Sequence, residues 1–395
     1  MPRFADIRGQ DDAHALLRLA VARERLPHAV LFHGTRGIGK TSTAFALAQF
    51  LNCEAPSTTD SCGTCASCRK IDRLQHPDIH WVFPMTGSLK GEQRGAHIRS
   101  TIEARLEPGI HSLSYKESAS IAIGRDQDLR AGSVGEVRFQ AGITPVEARV
   151  KVFVVSDAER MTAEAANSLL KVLEEPPPNN LIVLTAQRPS ALLKTIVSRC
   201  QSVRFRDLRE DEVAEMLMER VRIPVVVPKG DPPVPPAPPS LAHAALAAAL
   251  SRGSAANAAA LLDEETDVVS LRDRAVSFLA FPPGDPRLHD AVDAIAAMGD
   301  RSAVARFLDF GALWLGDLLR VATGSGVPIA NRDREDAVRR EAEGMTVTEI
   351  RRRARLLDEA RRAMEGNVYM RLVLYGLIEG LHRAEGAPRQ EALTR

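Results

Sequence analysis

Residues 28–52, HAVLFHGTRGIGKTSTAFALAQFLN, constrain the fold more than any other stretch. A short apolar run, 28–34, leads into glycine and reads as a buried strand. A helix follows, GKTSTAFALAQFLN. Between them GTRGIGKT fits G-x-x-x-x-G-K-[ST] at Gly34, Gly39, Lys40 and Thr41. Glycines let backbone N–H groups point into a concavity that holds phosphate. Lys40 supplies a point charge, Thr41 a hydroxyl for magnesium, and the helix N-terminus a favourable dipole. Gly37 and Ser42 complete the expected nucleotide-binding set. The strand–loop–helix context separates this match from a chance occurrence, whose alternative is a loop that stays empty.

A chain with this loop needs further parallel strands. VKVFVVSDAERM, residues 150–161, reads as a buried strand ending at an acid, Asp157. In a nucleotide hydrolase that acid helps to hold magnesium, and a glutamate beside it prepares the attacking water. The next residue is Ala158. DIHWVF (78–83) and NLIVLTA (180–186) are two more apolar runs. Helices are expected over 4–20, over 132–142 and over 161–174, the last capped by Thr162 and stopped by EPPP. Strands alternating with helices predict a parallel α/β domain over 1–206. Within it, 85–132 has mixed polar content and weak periodicity, and reads as an insertion with partial structure and no assigned function.

Beyond the α/β part the composition changes. IPVVVPKGDPPVPPAPPS, residues 223–240, holds eight prolines in eighteen positions and predicts a stiff extended loop. Helical pieces flank it at 208–221 and 240–264, so 207–267 reads as a small helical domain. From 268 to 395 every segment reads helical, with Phe307, Phe310, Trp314 and Leu318 spaced for one buried face. RRRAR at 351–355 reads as a solvated helix face.

CEAPSTTDSCGTCASC places Cys53, Cys62, Cys65 and Cys68 as C-x8-C-x2-C-x2-C. Four thiolates at this spacing suit tetrahedral zinc, and with all four positions filled by sulfur the zinc would be structural. Free or redox thiols are the alternative. The fifth cysteine, Cys200, reads as a buried small residue. Five cysteines in 395 residues do not make a disulfide scaffold. No apolar run approaches the ~18 residues that span a bilayer, which with the absence of a signal core predicts a cytoplasmic protein with no membrane partner. A net charge of +1 gives no general attraction to nucleic acid.

Taken together, DIRGQ with RLPHAVLFHG, the phosphate loop, the four-cysteine insert directly after it, DAERMTAEAANSLLKVLEEPP and SRC at 198–200 resemble the bacterial clamp-loader ATPases of the AAA+ class. These are subunits of the DNA polymerase III holoenzyme. The likeness covers residues 6–80 and 133–205. It implies an AAA+ domain, a helical lid over 207–267 and a helical collar over 268–395. The implied partners are gamma/tau and delta subunits in a hetero-oligomeric ring, the sliding clamp, and primer-template DNA through the complex. The implied ligand is ATP or ADP with magnesium.

Motor subunits of that family (gamma or tau) carry Asp-Glu where this chain has Asp157-Ala158, and a lid sequence like GSLRDAL whose arginine reaches the nucleotide. The matching stretch is GSAANAAALL, 253–262, with Ala256 at the arginine position. Both departures resemble the delta-prime type of subunit, for which little or no ATP hydrolysis is expected. Glu159 is a weaker candidate for the missing carboxylate. By spacing alone Arg199 is an ordinary surface charge; by resemblance it is an arginine finger acting in a neighbour's ATP site. A motor-type ATPase that tolerates Ala158, and an unrelated zinc-containing P-loop protein acting on DNA alone, are the rival expectations.

Overall fold

The computed structural model describes residues 3–86, 91–106, 109–110, 118–124, 132–223, 236–262, 268–282, 285–298, 301–365 and 369–382. Five strands form one sheet: β1 (Ala29–His33), β2 (Ile79–Val82), β3 (Lys151–Val155), β4 (Asn180–Ala186) and β5 (Gln201–Arg204). Their order is β2-β3-β4-β1-β5, and every pairing is parallel. The described helices are α1 (Asp11–Ala22), α2 (Lys40–Asn52), α3 (Ala66–Asp72), α4 (Gly91–Leu106), α5 (Val134–Ala141), α6 (Ala163–Glu174), α7 (Lys194–Val197) and α8 (Glu210–Arg220), followed by α9 (Leu241–Leu250), α10 (Ala255–Leu262), α11 (Val268–Leu279), α12 (Arg287–Ala296), α13 (Arg301–Ala322), α14 (Glu335–Glu343), α15 (Val347–Glu365) and α16 (Met370–His382).

The chain divides into two compact units. The first is Met1–Val213 with Gly253–Asn257; the second is Ala214–Arg252 with Ala258–Arg395. The sequence reading divides the helical part into lid and collar, whereas both stretches fall largely in the second unit. Most of the proline-rich 223–240 stretch lies outside the described residues.

The first unit is a sheet buried on both faces, as parallel sheets are. Side chains alternate along each strand. Val30, Phe32, Val152, Val154, Leu181 and Val183 join Phe45, Leu47 and Ala48 of α2 on one face. Ala29, Leu31, Phe153, Val155, Ile182 and Leu184 join Val137 of α5 and Leu169 and Leu173 of α6 on the other. Each fully buried side chain of this size contributes roughly 1.5–3 kcal/mol. α6 begins where expected: the Thr162 hydroxyl accepts the Ala165 N–H at 3.2 Å. Ser133 caps α5 in the same way.

Three boundaries differ from the sequence reading. The helix expected over 4–20 starts only at Asp11, after a single 3-10 turn, Phe4–Asp6. Gly9 sits at φ +73, and the Gln10 amide bonds to Ile38 O and Arg206 O, so long-range contacts fix a non-helical approach. The 240–264 piece is two helices, broken at Ser251–Ser254 around Arg252 and Gly253, both at positive φ. The insertion over 85–132 contains a four-turn helix, α4, which its weak apolar periodicity did not indicate.

In the second unit, Phe307, Phe310, Trp314 and Leu318 are all buried on α13, as their spacing predicts. Trp314 Nε1 donates to Glu341 of α14 at 3.0 Å. Arg272 is fully buried and forms a two-pronged pair with Asp333 at 2.9 and 2.8 Å. RRRAR is not simply a solvated face. Arg352 donates to Gly380 O and Leu381 O at the end of α16 and, with Arg353, pairs with Glu349. Arg352 first among the causes, this holds the Glu349 carboxyl down to about 2.

The N-terminal approach to β3 rests on one buried pair. Asp78 accepts the N–H groups of Val146, Glu147 and Ala148, and Lys151 Nζ lies 3.7 Å from it. Burial pushes the Asp78 carboxyl up, but the three N–H donors and Lys151 outweigh it and leave its pKa below the ordinary 3.8. A depressed carboxylate stabilises the fold above its ordinary value, and that stability is lost as pH falls through the lowered value. Asp78→Ala should therefore cost about 3–5 kcal/mol at neutral pH, because it leaves Lys151 buried and unpaired. Urea unfolding across pH should show the gap between wild type and Asp78→Ala shrinking below 3.8.

Candidate functional site

The site forms at the carboxyl ends of β1, β3 and β4, where open parallel sheets bind ligands. The loop after β1 turns through Gly34 at φ +145 and Gly37 at φ +77, conformations that L side chains rarely adopt. A Cβ on Gly34 would meet Phe205 O at 2.5 Å; one on Gly37 would meet Ser254 Oγ and Ala256 Cβ at 2.5 Å. Glycine at 37 is therefore what lets Ser254–Ala256 close against the loop. Gly39 precedes α2 with no side-chain cap, leaving its first-turn N–H groups for an anion.

Lys40 is buried and its Nζ donates to Gly34 O at 2.6 Å and Thr35 O at 2.7 Å. Desolvation lowers its pKa to about 8, against the pull of Asp157 and Glu159. The ammonium is thus tied to its own loop, from which a phosphate oxygen can draw it. Thr41 Oγ1 lies 3.2 Å from Ser156 Oγ, which also accepts from Trp81 Nε1 at 2.9 Å. Ser42 Oγ accepts from Arg105 Nη2 of α4 at 2.5 Å. Ser156, Trp81 and Arg105 did not emerge from the motif; only the position of Ser156 directly after β3 could have signalled it.

Asp157 adopts a left-handed conformation, φ 51 and ψ 53, and its N–H donates to Thr185 Oγ1 at 3.0 Å. Asp157 follows directly after β3, and its charge acts on Lys40 to raise that residue's pKa. Ala158 is 1% exposed, so the position after the acid carries a buried methyl group. Glu159 turns to β4: Oε1 accepts the Gln187 N–H at 3.1 Å, while Oε2 is buried without a hydrogen bond. Burial, with Asp157 nearby, raises its pKa.

Arg199 follows α7. Its side chain keeps 35% exposure, pairs with Glu174 at 2.8 Å and donates to Thr195 O at 3.0 Å. A surface pair of this kind is worth about 0–1 kcal/mol and exchanges readily. Cys200 is half-buried, and burial pushes its thiol up to about 11, the state of an inert thiol.

The four remaining cysteines converge. Their sulfur atoms all lie within 4.8 Å of one another. Tetrahedral zinc with Zn–S near 2.3 Å requires sulfurs about 3.8 Å apart, and Cys62 and Cys68 stand at 4.0 Å. Backbone N–H groups of Cys62, Cys65 and Cys68 point at the sulfurs of Cys53, Cys62 and Cys65. The N–H groups of Thr64 and Cys65 bring the Cys62 thiol down to about 6, while burial pushes Cys68 up. A dication at the centre favours all four as thiolates, so the donor set fits a closed, four-sulfur metal centre.

A glycine loop on a helix N-terminus, an acid at the end of the neighbouring strand and the β2-β3-β4-β1-β5 order define a P-loop domain of the AAA+ class. Residues 9–209, more than half of the chain, match the protein family described as "DNA polymerase III, delta subunit". The chain belongs to this DNA polymerase III clamp-loader family. It is 32% identical over 205 residues to the DNA polymerase III subunit delta' of Bacillus subtilis, covering 52% of this chain and 50% of that one. It is also 32% identical over 203 residues to the gamma/tau subunit of Mycobacterium bovis, covering 51% of this chain and 28% of that one. The match spans half or less of each relative, and identity does not separate the two types. A gamma-subunit-related protein of Thermotoga maritima superposes with a TM-score of 0.35 at 17% identity, over 93% of this chain and 98% of that one; that likeness adds nothing to the assignment. Among the described residues no helix is long and apolar enough to cross a membrane.

Elemental analysis of the purified protein should find about one divalent metal per chain. Cys68→Ser should lose most of it and melt at lower temperature, and full metal retention in that variant would remove the four-sulfur assignment.

Proposed function

We propose that the chain is a delta-prime-type subunit of a DNA polymerase III clamp loader. It binds ATP or ADP with magnesium at Gly34, Gly37, Gly39, Lys40, Thr41, Ser42 and Asp157, and turns the nucleotide over weakly or not at all. Its four cysteines hold a structural zinc. In this reading residues 207–267 serve as lid and 268–395 as collar. The subunit stands in a cytoplasmic ring with gamma/tau and delta subunits that places the sliding clamp on primed DNA.

The observation that carries this reading is the buried Ala158 beside Asp157. A methyl group can neither orient nor deprotonate water. Ala256, packed at Gly37, supports it: a methyl group lies at the loop where the motor type brings an arginine. Arg199, partly exposed and held by a surface pair with Glu174 and one bond to Thr195 O, supports a role on a neighbour's nucleotide, where such a residue is worth about 10³–10⁵ in rate.

One observation favours the motor-type alternative. The Glu159 carboxylate is buried near Lys40 and Asp157 with one oxygen unbonded, so an acid is present although its anchor on Gln187 turns it toward β4.

Purified protein should bind ATP, lose binding in Lys40→Ala, and turn ATP over at background rate with or without primed DNA. Turnover that disappears in Glu159→Gln would establish the motor reading instead. In a complex reassembled with gamma/tau and delta subunits, Arg199→Ala should remove the share of DNA-stimulated ATPase supplied by the site it faces. Unchanged turnover there would end the finger assignment.

A further inference from the structure

Within the insertion between β2 and α5, the described helix α4 packs against the domain. Along α4 the less exposed residues are Arg94, Gly95, His97, Ile98, Thr101, Ile102 and Arg105, recurring mostly at three and four positions. This is one helix face turned toward the domain. Ile98 lies beside Gly132, and Gly132 beside Met85, which fastens the middle of the helix. The C-terminal end of the same face carries Arg105 to Ser42, in the first turn of α2.

Ser42 is two residues beyond Lys40, so the guanidinium stands beside the N–H groups and helix dipole that receive phosphate. Two positive features side by side repel each other. A polyphosphate between them turns that repulsion into attraction on both sides. A guanidinium has five donors in a planar fork that matches phosphate oxygens. Burial pulls its pKa down to about 10, still fully charged at neutral pH. The lid position that carries arginine in motor subunits holds Ala256.

We propose that Arg105 is a binding residue of the nucleotide site, supplied in cis by the insertion, and that it grips the phosphate chain of a bound nucleoside di- or triphosphate from the Ser42 side. The proposal rests on the nucleotide-binding part of the function proposed above.

The test is equilibrium binding of ATP, ADP and AMP with magnesium to the full chain, comparing wild type, Arg105→Ala, Arg105→Lys, Lys40→Ala and Arg99→Ala. Arg99 is exposed on the same helix and controls for a change of surface charge. Arg105→Ala should weaken ATP and ADP binding about tenfold, the effect of one lost charge-assisted contact. It should also narrow the preference for ATP over AMP, which a purely structural anchor would not do. Arg105→Lys should fall between, and Arg99→Ala should match wild type. Wild-type affinity in Arg105→Ala, with binding still lost in Lys40→Ala, would overturn the proposal and leave Arg105 as an anchor for α4. Tighter binding would overturn it too, by making Arg105 a plug. If wild type binds no nucleotide, the proposed nucleotide role fails and this inference with it, a result distinct from failure of Arg105 alone. Should Arg105→Ala melt early, Arg105→Lys decides: unchanged affinity and unchanged preference for phosphate number would overturn the proposal.

Discussion

β4 stands between the two strands that carry the chemistry, and its ladder holds the site together. On one side it pairs with β1, Phe32 opposite Thr185, so the phosphate loop leaves the sheet beside the end of β4. The Gly34 N–H then bonds to both Ala186 O and Gln187 O. On the other side it pairs with β3, Val155 opposite Leu184, which delivers Asp157 to the same edge. Thr185 links the two by accepting the Asp157 N–H. A slip of one residue on either side would send every side chain of the strand to the opposite helix layer, so the packing of the two layers also fixes the spacing between lysine and acid.

Around this frame the polar inventory is uneven. The phosphate side is well supplied, with Lys40, Thr41, Ser42 and uncapped N–H groups. The side that would act on water holds a methyl group, and the nearest acid is anchored elsewhere. Under the proposed reading, binding groups without the water-orienting group make a domain that responds to nucleotide more readily than it consumes it. The accessory parts grow from the margins of the same frame: the cysteine module from the end of α2, the α4 insertion from the end of β2.

Much of this was legible in the sequence because it is local. The phosphate loop, the cysteine spacing, the Thr162 cap and the apolar strands are each contained within a few residues, so their chemistry can be read from order alone. Cap, loop and strand were placed to within a residue or two. What escaped reading depends on contacts between distant residues. The Gln10 amide meets residues 38 and 206, and that is why the first helix starts late. Trp81 reaches Ser156, and Arg105 reaches Ser42, across 75 and 63 residues. α4 carries few apolar residues on its inner face, so no periodicity announced it; arginine and threonine stems do much of the covering.

The return of Gly253–Asn257 to the first unit has a consequence for how the chain is made. A ribosome delivers the five strands and the phosphate loop early, and the N-terminal part begins to fold as it emerges. Yet the segment that packs on Gly37 is synthesised some two hundred residues after the loop it closes, a gap read from their positions. Until it arrives, the loop lacks part of its wall. The first unit is therefore not a contiguous piece of the gene. A cut after residue 213 would yield the whole sheet but an open loop, and the finished pocket waits for residues 253–257.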